Sequence, residues 1–100
     1  MSRQFRIDRL ANQDLRAAYR WYEDQRQGLG EEFADDAAKT FERIRDFADS
    51  FEIIEQDVRI VVFSRFPYVA LYRGDDEEIV VLAVYHQRRD PELWARRLPN

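Results

Sequence analysis

Phe5 and Ile7 alternate with Arg6 and Asp8 near the start of the chain, the period of a half-buried strand, and predict a short edge strand. The period then lengthens. Leu15, Ala18, Tyr19 and Tyr22 recur at three- and four-residue spacing, which predicts a helix capped by Asn12 and ending near Gly28. "GLG" at Gly28 to Gly30 reads as a tight break. Beyond it Phe33, Ala37, Phe41, Ile44, Phe47 and Ala48 share one stripe, so a second helix is expected from about Glu31 to Ala48. Helices joined by so short a loop are antiparallel neighbours.

After Phe51 the helical period stops, and three short runs rich in branched and aromatic residues follow: "VRIVVF" from Val58, "PYVALYR" from Pro67 and "IVVLAVYH" from Ile79. The last is apolar on both faces, as a covered central strand is. Pro67 opens its strand, where a missing amide donor is tolerated. The predicted order is strand, helix, helix, strand, strand, strand, with a short tail from Gln87. One α+β domain over residues 1–100 results, its helical hairpin packed on one face of a largely antiparallel sheet. The opposite face is then expected to carry the functional residues.

Composition narrows the function classes. A chain of 100 residues that is 45% hydrophobic and 36% charged supports one core under a solvated surface, and its net charge of −4 argues against a general nucleic-acid coat. Residues 1–57 hold 14 acidic and nine basic side chains, whereas residues 58–100 hold six and seven, so the C-terminal half is locally basic outside "DDEE" at Asp75 to Glu78. No membrane-length apolar run or signal-peptide pattern is present, and a cytoplasmic protein that does not engage membranes is expected. Without cysteine there is no thiolate nucleophile, and one histidine with scattered carboxylates gives no expectation of a metal or cofactor.

Strand alternation groups the chemistry-bearing side chains. In the last strand it places His86 with Leu82 and Val84, and Tyr85 with Val81 and Ala83; in the strand before, Tyr68, Ala70 and Tyr72 oppose Val69, Leu71 and Arg73. Arg59 sits between apolar neighbours and needs a partner. His86 suits either general acid–base work or a strand-end hydrogen bond to a backbone carbonyl. Arg88 and Arg89 suit an acidic partner or simple solvation, Trp94 suits an anchor for the tail, and Trp21 lies off the main stripe, placed to pack on the tail or on a partner.

"DLRAAYRWYEDQRQGLGEEF", "RFPYVALYR" and "IVVLAVYHQRRDPELWARR" together resemble the RelE/ParE family of bacterial type II toxins, closest to its ParE-like branch. The aromatic "WYE", the "GLG" turn, "FPY" and the H-x-x-R-D-P-x-x-W run stand in the family's order over nearly the whole chain. The resemblance implies a growth-inhibiting toxin of a toxin–antitoxin system of the plasmid-stabilisation type, neutralised by a cognate antitoxin and contacting operator DNA only through that complex. ParE-like members poison DNA gyrase, and for that role it implies a contact surface of Arg65, His86, Arg88, Arg89 and Trp94. RelE-like members cleave mRNA in the ribosome, and for that role it implies His86 as acid or base with Arg59, Arg73 and Tyr72 around the phosphate. A low-toxicity binding module is the third reading. RelE-type nucleases are strongly basic and lysine-rich, whereas this chain is acidic and Lys39 is its only lysine.

Overall fold

The computed structural model describes residues 3–88; Arg89 and Trp94 lie outside them. Its elements are β1 (Gln4–Ile7), α1 (Arg9–Gln25), α2 (Leu29–Asp46), β2 (Glu52–Glu55), β3 (Val58–Val62), β4 (Tyr68–Gly74) and β5 (Glu78–His86). They form one five-stranded sheet in the order β1-β5-β4-β3-β2, with β1 parallel to β5 and all other pairs antiparallel. The predicted hairpin-on-sheet architecture, the edge position of the first strand and the central position of the last are all present.

The helix begins earlier than the Asn12 cap suggests. Asp8 is the N-cap, its carboxylate accepting from the Leu10 N–H at 3.4 Å, while its own N–H donates to the Val81 carbonyl at 2.9 Å and ties the helix start to β5. Asn12 instead donates the first helical bond, to the Asp8 carbonyl. Ala11, Ala18 and Tyr22 form the buried stripe of α1.

The break between the helices rests on one carboxylate. Gly28 has φ +89°, where a side chain is strained, and it offers no cap of its own. Glu23 supplies one from α1, accepting from the N–H groups of Gly28 and Gly30 at 3.0 Å. Gly30 belongs to the first turn of α2 rather than to the break, and a Cβ on it would lie 2.9 Å from the Tyr19 carbonyl oxygen. Gly30→Ala is therefore expected to cost about 1–3 kcal/mol by overpacking the helix pair. Gly28→Ala, with open space around it but a left-handed backbone, should cost about 1 kcal/mol, and urea denaturation of the two variants checks the order.

Three expectations need correction. Glu52–Glu55 form a further edge strand, β2, which pairs with β3 across a tight turn holding Gln56 at φ +51°. Phe47 is not on the core stripe: it caps α2 in a non-helical conformation and is 58% exposed. In β5 the alternation fails, because the register with β4 shifts between the pairs Leu71↔Ala83 and Tyr72↔Val81. Leu82 is the extra residue of this bulge. Val81 and Val84 consequently both face the helices, and Leu82 joins Ala83 and Tyr85 on the other side.

The core against the helices centres on Phe33, which stacks on Tyr22 and Phe63 at 5.5 and 5.7 Å and meets Phe66 and Tyr68 edge-on at 5.5 and 5.0 Å. A smaller apolar cluster of Val58, Leu71, Ala83 and Tyr85 lies on the opposite face. No helix among the described residues is long and apolar enough to cross a membrane.

Candidate functional site

Aromatic packing draws one end of the sheet, the outer half of α1 and the residue 63–67 loop into a single region. Asp36 of α2 organises the loop. Its Oδ2 accepts from the Arg65 and Phe66 N–H groups at 2.9 and 2.8 Å in a buried setting, so two loop donors find their partner across the molecule. The Phe66 ring then packs edge-on to Tyr22, and Gln87 donates to the Pro67 carbonyl at 2.8 Å, which holds the end of β5 beside the loop.

Arg65 therefore projects from a fixed backbone. Its guanidinium donates to Glu32, which also receives Arg26 at 3.0 Å. Arg65 and then Arg26 hold the Glu32 carboxyl below the usual carboxylate range.

His86 closes the same end. It faces Tyr68 across the β4–β5 pair, ring centroids 5.3 Å apart and edge to face, and its Nδ1 accepts the Arg88 backbone N–H at 3.1 Å. This contact orients the ring at the strand end.

Between α1 and this end of the sheet lies a cleft of about 580 Å³, lined by Asp14, Ala17, Ala18, Trp21, Tyr22, Tyr68, Val84 and His86. Asp14 Oδ2 accepts from the Val84 N–H at 3.0 Å, just beyond the β5 bulge. Trp21 is 58% exposed and stands edge-on to Tyr22 at 5.1 Å. The cleft opens on the helix side of the sheet, not on the opposite face where sequence alternation put the functional residues. A second groove of about 440 Å³ runs along the outer seam of the helices, where Leu15, Tyr19, Phe33, Ala37 and Phe41 are flanked by Arg16 and Arg20.

The other singled-out residues do not converge. Arg59 shares the helix-side face with Tyr72 and donates from Nη1 to the Phe51 carbonyl at 2.6 Å. Arg73 lies on the opposite face, paired with Asp57 at 3.3 Å. Tyr72 is 1% exposed and donates its hydroxyl to the Ala48 carbonyl. His86 sits across from Tyr68, four residues along β4 from Tyr72 and so about 13 Å away at ~3.3 Å per residue. Arg88 is exposed beside His86.

Sequence reasoning passed over Asp14. The signal was present, since Asp14, Ala17, Ala18 and Trp21 follow i, i+3, i+4, i+7 and define a second face of α1.

Burial pushes the Tyr72 hydroxyl up to about 12 from its ordinary 10.0. A raised folded pKa means stability that is complete below pH 10 and is lost as pH rises toward 12. Loss of about 2 kcal/mol over that window is expected. Tyr72→Phe should remove most of the alkaline slope while costing about 1 kcal/mol at neutral pH, as denaturant midpoints across pH will show.

Comparison with known proteins agrees with this architecture. The family model for the ParE toxin of the type II toxin–antitoxin system parDE matches residues 5–91. Comparison with curated proteins gave no match. Among solved structures, a chain from the chromosomal ParDE toxin–antitoxin system of P. aeruginosa is similar at a TM-score of 0.76 and 20% identity, over 85% of this chain and 96% of that one, which supports the fold. With most of its length matched by the family model, the chain belongs to the ParE toxins of type II toxin–antitoxin systems.

Proposed function

We propose that this ParE-family toxin arrests growth by binding DNA gyrase and trapping its cleaved-DNA state, with no bond-making chemistry of its own, and that a cognate antitoxin neutralises it. The dispersal of Arg59, Arg73 and His86 carries the choice against ribonuclease chemistry. Cleaving RNA requires a proton-transfer group and a cation within reach of one phosphate. Here the two arginines point from opposite faces, and His86 lies at the far end of β4 from both. Arg65, His86 and Arg88, with Arg89 and Trp94 beyond the described residues, are the proposed gyrase contacts.

The groove along the helix seam suits an amphipathic antitoxin helix, with acidic residues on its flank meeting Arg16 and Arg20. Ala38→Glu, an exposed substitution in that groove, is expected to weaken antitoxin binding at least about tenfold by burying an unpaired charge near an acidic helix, and calorimetry of the purified pair measures it. Operator contact then runs through the antitoxin complex, since the toxin's net charge is −4.

The deciding experiment adds the purified protein to DNA gyrase with relaxed plasmid, and separately to translating ribosomes. Inhibited supercoiling with accumulated cleaved DNA, and intact mRNA, is the expected pair of results. Unimpaired gyrase together with cleaved mRNA refutes the proposal.

A further inference from the structure

Two arginines from different elements converge on one carboxylate at the turn end of the helical hairpin. Arg65 donates from Nη2 to Glu32 Oε1, and Arg26 donates from Nη2 to the other oxygen at 3.0 Å. Each arginine is held at its base. The Arg65 N–H is bonded to buried Asp36 and its guanidinium lies 5.2 Å from the Phe66 ring, while Arg26 donates its N–H to the Tyr22 carbonyl and accepts from the Leu29 N–H. Glu32 is the least exposed of the three side chains, at 30% against 57% for Arg26 and 60% for Arg65. A guanidinium carries five N–H donors, and among the described residues those not given to Glu32 meet no protein acceptor. Exposed ion pairs contribute little to stability. Two cations on one carboxylate also leave a surplus positive charge, on a chain whose net charge is −4.

We infer that Arg26 and Arg65 form a receptor for a single carboxylate of a protein partner, seated across the exposed sides of the two guanidiniums with Glu32 beneath. Glu32 itself shows that the two side chains are spaced to share one carboxylate, and planar guanidinium forks match carboxylate geometry. The surplus is one charge, which a lone aspartate or glutamate neutralises. A DNA backbone is the poorer match, because Glu31 and Asp35 stand exposed on α2 beside Glu32 and repel a row of phosphates. Arg26 thereby joins Arg65 as a contact residue. The inference rests on the gyrase reading only for the identity of the partner. Carboxylate binding is measured without gyrase, so its failure and a failed supercoiling assay are separate outcomes.

Nuclear magnetic resonance of the full-length, nitrogen-15-labelled protein at constant ionic strength tests it, with N-acetyl-glutamate amide as the probe, N-acetyl-glutamine amide as its uncharged isostere and dimethyl phosphate as the phosphodiester. Saturable shifts of the Arg26 and Arg65 Nε–H signals are expected with the glutamate probe, and binding of the glutamine compound at least about tenfold weaker. Arg26→Gln, at an exposed position, should weaken glutamate binding about tenfold at the Arg65 signal. Glu32→Gln keeps an oxygen for one arginine, removes the competing charge and should strengthen binding about tenfold. No saturable shift, equal binding of the glutamine compound, tighter binding of dimethyl phosphate, or failure of either variant to move binding in its stated direction overturns the inference.

Discussion

Phe33→Ala is expected to destabilise the protein by about 3–5 kcal/mol, the range for deleting a fully buried aromatic ring. The ring is 1% exposed and touches four other aromatic side chains drawn from α1, the 63–67 loop and β4. Its removal leaves a cavity that none of these rigid groups can fill without abandoning the others. For a domain of this size the melting temperature should fall by roughly 15–30 °C, readable by calorimetry. Phe33→Leu retains most of the volume and should cost about half as much. Because Tyr22 and Tyr68 lean on Phe33 from the cleft side while the ring also lines the helix-seam groove, both candidate binding surfaces should lose definition together.

The second large effect is electrostatic in origin. Asp36→Ala leaves the Arg65 and Phe66 N–H groups without their acceptor in a buried site, at a cost of about 2–4 kcal/mol. Asp36→Asn preserves an accepting oxygen and should cost about 1 kcal/mol. The contrast between the two, measured by urea denaturation, separates loss of the hydrogen bonds from loss of the charge. If the alanine and asparagine variants prove equally stable, Asp36 is not what fixes the loop. With the loop released, Arg65 loses its defined position, so Asp36→Ala should weaken the proposed gyrase inhibition even at temperatures where the protein stays folded.

How much of this was legible in the sequence follows from how local each signal is. Helical stripes repeat within a few residues, and both helices were readable, as was the apolar run of the central strand. β2 was missed because "EIIE" at Glu52–Glu55 is short, flanked by charge and lacks two-residue alternation, as an edge strand can. The β5 bulge escaped because a single unpaired Leu82 reverses the facing of every residue on one side of it. That reversal moves Leu82 off the face of His86, while Val84 shares that face as the alternation predicts. Arg59 and Arg73 looked like members of one cluster, yet their registers against β4 and β5 send them to opposite faces. The cap at Asp8 was obscured by Asn12, an equally good capping residue with no means of bonding to the sheet. Asp14 and Trp21 form a face that the sequence displays, but only the fold shows that His86 and Tyr68 complete it. The motif resemblance, by contrast, was carried by the order of short runs and led directly to the family.

The parallel pairing of β1 with β5 has a consequence for the time at which this protein comes into being. Its first strand and the start of its first helix bond to residues made some seventy positions later, at Ile79 to Val81, and Asp14 waits for Val84. At ~5–20 residues per second of synthesis, that interval is roughly 4–15 s, during which the emerging chain holds a helical hairpin without the strand it must cover. Neither the aromatic cleft nor the ordered end of the sheet exists on an unfinished chain. A partner that recognises the folded surface can engage only when synthesis is nearly complete, which would give the proposed antitoxin, if already present in the cell, a head start over every new toxin molecule.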